Sequence, residues 1–141
     1  MCFFDDKSQV SHLLRQMRKK HSLKEPSDLA QKDVLFVGGL DLSAVDENTY
    51  ICAFTIYKIP KDGPIRRVYG IDMKHTVNVP YRAGYLGFRE AEPMVKTVEY
   101  ALKIHPEFEV DVLLVDGNGT LHPVGFGSAC HVGVLSLHSQ R

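Results

Sequence analysis

Three carboxylates occupy positions that solvated surface acids seldom take. Asp41 sits among apolar residues directly after Gly38-Gly39-Leu40, and Glu90 follows Gly84-Tyr85-Leu86-Gly87-Phe88-Arg89 at the opening of a helical pattern. Asp116 closes the most apolar run of the chain, Val112-Leu113-Leu114-Val115. A carboxylate at the C-terminal end of a buried strand is a common active-site position in open α/β sheets. Three of them converging there would repel one another unless a cation offset their charge, and hard oxygen ligands suit Mg2+ or Mn2+. Each acid also has an ordinary reading: Asp41 as a strand bulge, Glu90 as a residue favoured by the helix dipole, Asp116 as a turn former.

The surroundings of Asp116 narrow the chemistry. Asp116-Gly117-Asn118-Gly119-Thr120 resembles the start of a calcium loop, but that loop needs Gly at its sixth position and Glu at its twelfth. Here those positions hold Leu121 and Gly127, which excludes it. The glycines at 117, 119, 125 and 127 make a dense segment. Such density permits close approach of backbone to a ligand or phosphate. His122, Cys130 and His131 flank it with a spacing that matches no familiar zinc pattern. A histidine beside carboxylates can donate to a phosphate oxygen or position water, and His122 is the candidate for that supporting role. His131 has no assigned role. Tyr81, in a Pro-Tyr-x-x-Gly loop, is either an aromatic packed on the sheet or a base-stacking residue, an interaction worth ~1–3 kcal/mol per base.

The elements that must position these groups follow from hydrophobic period. Residues 8–20 carry Val10, Leu13, Leu14 and Met17 at helical spacing, and residues 24–33 read as a connector. Val34-Leu35-Phe36-Val37, residues 50–59 and residues 65–73 read as three strands, the last two joined by the turn Lys61-Asp62-Gly63-Pro64. Short turns between successive strands predict an antiparallel meander. Residues 88–105 place Met94, Val95, Val98, Ala101, Leu102 and Ile104 at helical spacing, ended by Pro106. Residues 110–115, interrupted by Asp111, read as a short strand buried on both faces, and residues 127–135 as a second helix. The sum is a mixed α/β sheet, a three-strand antiparallel meander plus a parallel strand, with flanking helices.

Composition bounds the rest. In 141 residues, 44% hydrophobic and 24% charged, the proportions are globular and exclude fibrous or wholly disordered chains. No apolar run approaches the ~20 residues that span a bilayer, so no membrane partner is expected. The N-terminus carries Asp5 and Asp6 where a signal peptide is basic. Cys2, Cys52 and Cys130 are odd in number and widely spaced, which gives no disulfide framework. An intracellular, reducing location, in the cytoplasm or nucleus, is the expectation. Lys+Arg 17 balances Asp+Glu 17, yet Arg15, Arg18, Lys19, Lys20 and Lys24 cluster without an acid between residues 11 and 24. That stretch is either a solvated helix face or a phosphate-contacting patch.

Three blocks carry a family resemblance. Val37-Gly-Gly-Leu-Asp-Leu-Ser, Pro80-Tyr-Arg-Ala-Gly-Tyr-Leu-Gly-Phe-Arg-Glu90 and Val112-Leu-Leu-Val-Asp-Gly-Asn-Gly-Thr-Leu-His-Pro-Val-Gly-Phe-Gly-Ser-Ala-Cys-His-Val-Gly-Val134 resemble endonuclease V in order and spacing. The resemblance implies an RNase H-like fold and cleavage of DNA or RNA at the second phosphodiester 3′ to deoxyinosine or inosine, with Mg2+ or Mn2+. It implies that Asp41, Glu90 and Asp116 form the metal site, that His122 assists, and that Tyr81 is a strand-separating wedge. Backbone groups at Gly84, Leu86 and Gly117 would line the hypoxanthine pocket. Arg82 and Ala83 depart from the family's usual loop.

The resemblance divides the chain into residues 1–33 (helix and connector), 34–135 (catalytic core) and 136–141 (divergent tail). Family members continue into a further strand and subdomain that supply a lysine and a last metal-site residue. The expectation is therefore a core incomplete at the C-terminus, monomeric, with an exposed sheet edge able to self-associate. The alternative function is a catalytically silent inosine-binding remnant.

Overall fold

The computed structural model describes residues 29–139. The helix read over residues 8–20, the basic stretch and Cys2 lie outside the described residues. After a single 3-10 turn at Leu29–Gln31 the chain runs through β1 (Val34–Ala44), β2 (Thr49–Pro60), β3 (Arg66–Thr76), α1 (Gly87–Ile104), β4 (Val112–Val115) and α2 (Ser128–Ser139). The strands form one sheet in the order β3-β2-β1-β4. β1 pairs antiparallel with β2, and β2 with β3, while β4 lies parallel to β1. The expected meander plus parallel strand is therefore present.

Alternation makes β2 the spine of the core. Tyr50, Cys52, Phe54 and Ile56 are buried, and the residues between them face the other way. Against the buried face α1 lays Ala91, Met94, Val95, Val98 and Ala101, spaced three or four apart, and α2 adds Val132. The opposite face, which bears Ile51, Tyr57 and Leu114, carries neither helix. This corrects the reading of β4 as a strand buried on both faces: Leu114 is 61% exposed because, among the described residues, the helices cover only one face of the sheet. α2 also runs beyond residue 135, since residues 136–139 contain no Gly or Pro to stop it.

The parallel junction of β1 and β4 is fixed at both ends. The Asp111 N–H donates to the Phe36 carbonyl at 2.9 Å, and the Phe36 N–H donates to the Asp111 carboxylate at 2.9 Å. The Lys32 ammonium also pairs with that carboxylate, whose side chain is 7% exposed. Burial pushes the Asp111 carboxyl up, but Lys32 and the Phe36 N–H outweigh it and hold the group below the usual carboxylate range. At the far end the Asp116 N–H donates to the Leu40 carbonyl at 3.1 Å. Between these anchors Gly38 lets the layers close: a Cβ there would stand 2.8 Å from the Phe54 ring and 2.9 Å from Leu113.

Replacing Asp111 with Ala removes charge-assisted hydrogen bonds worth ~1.5–3 kcal/mol, and urea unfolding at pH 7 should show a loss of that size. Because the folded-state pKa is depressed, this stability is present above the unfolded value and lost as pH falls through the folded one. The gap between the two proteins should therefore close below about pH 4. A gap that stays constant into acid would contradict the assignment.

Candidate active site at the carboxyl ends of β1 and β4

The β1–β4 register runs from Val37 opposite Val112 to Leu40 opposite Val115. One step further brings Asp41 abreast of Asp116, on the same face of the sheet. Both are exposed, and with Gly39, Ala53, Thr55 and Leu114 they border a shallow cavity of about 430 Å3. Asp116 is also a wall of a second cavity of about 380 Å3. There it meets Glu90, His122, Gly117, Tyr81, Gly84 and Leu86. Of the residues expected to act in catalysis, metal binding or base binding, all border this second cavity except Asp41, which joins it through Asp116.

Local backbone packing builds the second cavity. The loop after β4 docks on the start of α2: the Gly127 N–H donates to Gly119 O at 3.0 Å and the Ala129 N–H to Asn118 O at 3.2 Å. A Cβ at Gly127 would lie 2.0 Å from the Asn118 carbonyl oxygen, so this glycine is required by the protein's own backbone rather than by a ligand. Gly117 adopts φ +139, a conformation that side chains avoid, with Ser128 directly against it. The glycine density read from the sequence is therefore largely a loop-to-helix joint.

Glu90 lies in the first turn of α1, half-buried. The Ser128 hydroxyl donates to its Oε2 at 3.3 Å. Burial pushes the Glu90 carboxyl up; the Ser128 hydrogen bond and Arg89 oppose this, while the negative charge of Asp116 adds to it, and the net shift is upward. Ser128 was not recognisable from sequence as a site residue, because a serine opening a helix reads as a cap. His122 is half-buried, and its Nδ1 accepts the Val124 N–H at 3.2 Å. That leaves the ring proton on Nε2, the donor state a phosphate oxygen needs. Tyr81 is 61% exposed at the cavity rim, not packed on the sheet.

The donor chemistry here, two carboxylates abreast on the sheet with the Glu90 carboxylate of α1 across the second cavity from Asp116, is that of a hard divalent ion. The geometry is open: among the described residues no three His, Cys, Asp or Glu side chains stand close enough to form a closed metal-holding cluster. Asp41 with Asp116, and Asp116 with Glu90, are the pairs that the fold brings together.

A β-meander extended by a parallel strand, with acids at the carboxyl ends of that parallel pair and a crossover helix behind, defines an RNase H-like domain. The family model for Endonuclease V matches residues 15–139, and the chain belongs to the endonuclease V family. Human Endonuclease V is 35% identical over 125 residues, which is 84% of this chain and 43% of that protein. The crystal structure of the human catalytic domain superposes with a TM-score of 0.78 at 29% identity, covering 94% of this chain and 55% of that one. Ciona intestinalis Endonuclease V, in complex with a 24mer DNA containing an inosine followed by a ribo-adenosine, superposes with a TM-score of 0.76 at 29% identity. It covers 92% of this chain and 53% of its own. The chain thus spans about half the length of the relatives it matches.

Glu90 is held in a setting that disfavours its charge. Glu90→Gln keeps the Ser128 contact and removes that penalty, so the thermal midpoint should rise. Calorimetry at pH 7 checks this, and a lowered midpoint would contradict it.

Proposed function

We propose that this chain carries the metal- and base-binding core of an endonuclease acting on inosine-containing DNA or RNA. The reaction is hydrolysis of the second phosphodiester 3′ to the deaminated purine, leaving 5′-phosphate and 3′-hydroxyl ends, in nucleic-acid repair or inosine-RNA processing. The observation that carries this reading is the second cavity: Tyr81, Gly84, Leu86 and Gly117 share its wall with Glu90, Asp116 and His122. A site for a base and a site for phosphodiester chemistry are then adjacent.

Asp41, Asp116 and Glu90 would hold Mg2+, with Mn2+ able to substitute. A bound divalent ion lowers the pKa of water and stabilises the leaving oxygen. Asp41 and Asp116, abreast on neighbouring strands, supply the negative charge that draws the ion to the scissile phosphate. His122, protonated at Nε2, donates to a phosphate oxygen. Tyr81 at the rim stacks where the base has left the helix, and the backbone at Gly84, Leu86 and Gly117 receives that base. Extrusion costs least for a weakly paired base, which favours inosine over normal purines. The chain would act as a monomer inside the cell, in the cytoplasm or nucleus.

The test is incubation of the purified chain with inosine-containing single-stranded RNA and DNA, in Mg2+ and in Mn2+, beside Asp41→Ala and Asp116→Ala. Wild type should nick on the 3′ side of inosine, and each variant should be slower by about 10²-fold or more while still binding the strand. Equal cleavage by the variants would overturn the site. Inosine-preferring binding with no cleavage would make the chain a silent binding remnant instead.

A further inference from the structure

We propose that His131 is a specificity-determining residue: its imidazole hydrogen-bonds the purine ring of the nucleotide extruded into the second cavity. This deepens the preceding reading and rests on it.

His131 lies in the first turn of α2 and is 6% exposed. Its ring is packed against apolar neighbours. Phe88 meets the ring edge-on with centroids 4.7 Å apart, and Phe126 does so at 4.9 Å. On a third side the ring fills the space where Gly87 would carry a Cβ, which would stand 2.9 Å from Cδ2. The nitrogens are a different matter. Among the described residues neither has a hydrogen-bond partner in the protein, yet neither is sealed in the core, because the residue lines the cavity. A buried polar group without a partner costs ~1–3 kcal/mol, and a side chain clamped on its apolar edges with its polar edge open to a cavity is built to meet a ligand.

The chemistry of that ligand follows. Burial, with a smaller contribution from His122, pushes His131 down to about 4, so the ring is uncharged at neutral pH. A neutral imidazole offers one donor and one acceptor. That pairing matches a neutral heterocycle that itself carries both. No metal-holding cluster includes it among the described residues. The cavity of about 380 Å3 also presents the rings of Tyr81, Tyr85 and Phe126, surfaces on which a flat base can stack. An oxopurine such as hypoxanthine combines flatness with donor and acceptor groups around its rim.

The experiment is binding of single strands containing one inosine, guanosine or adenosine, by fluorescence anisotropy without added divalent ion, to wild type and His131→Phe. Phe keeps the ring packing and removes the hydrogen bonds. The expected result is a fall of about tenfold in the preference for inosine, equal to ~1.4 kcal/mol, with the salt dependence of binding unchanged. Strands carrying 7-deazainosine or nebularine, which lack N7 or the oxo group with its N1–H, locate the contact. At least one should weaken wild type and not weaken the variant further. His131→Leu takes the place of His131→Phe if the latter fails to unfold cooperatively. Full inosine preference in the apolar variant, or additive losses with both analogues, overturns the inference alone. Absence of any inosine preference in wild type overturns it together with the reading beneath it.

Discussion

The site depends on the register between β1 and β4. Parallel pairs gain less per residue than antiparallel ones and have no hairpin to align them, so a four-residue strand such as β4 needs other constraints. Asp111 supplies one by closing a ring of hydrogen bonds with Phe36 and pairing with Lys32. Gly38 supplies another by admitting Phe54 and Leu113 to the same space. A slip of one residue would turn Asp116 to the helix-covered face and separate it from Asp41. The alignment of these acids is thus a consequence of contacts made at the opposite end of the strands.

From that alignment the remaining geometry follows in sequence. The chain leaves β4 at Asp116, turns through Gly117, and is caught by the first backbone N–H groups of α2. That joint presses Ser128 toward Glu90 and seats His131 between Phe88 and Phe126. α1 and α2 thereby share one wall of a cavity whose rim is the loop of Tyr81. Asp41 lies on one side of Asp116, and Glu90 with the aromatic and backbone groups on the other.

Much of this was legible in the sequence because it rests on local period. The two-residue alternation of Tyr50 to Ile56 and the helical spacing of Ala91 to Ala101 each declare an element and its buried face. Asp41 and Asp116 stand out because acids next to apolar runs break the pattern, and Glu90 because it opens a helix after a glycine-rich loop. What was not legible depends on partners distant in the chain. Asp111 looked like an interruption of a strand, since its partner Phe36 lies 75 residues away. Gly127 is glycine because another backbone crosses it, and Ser128 and His131 acquire their neighbours only when α2 docks. Leu114 looked like core, and its exposure follows from which face the helices cover.

The most direct test of the account is the location of a bound divalent ion. In the uniformly 15N-labelled chain, substoichiometric Mn2+ should broaden first the amide resonances of residues 39–41 and 115–117, where the two strands bring Asp41 and Asp116 together. The same addition to Asp116→Asn should leave those signals sharp. Broadening that begins elsewhere, or that is unchanged in the variant, would contradict the claim that strand register builds the metal site.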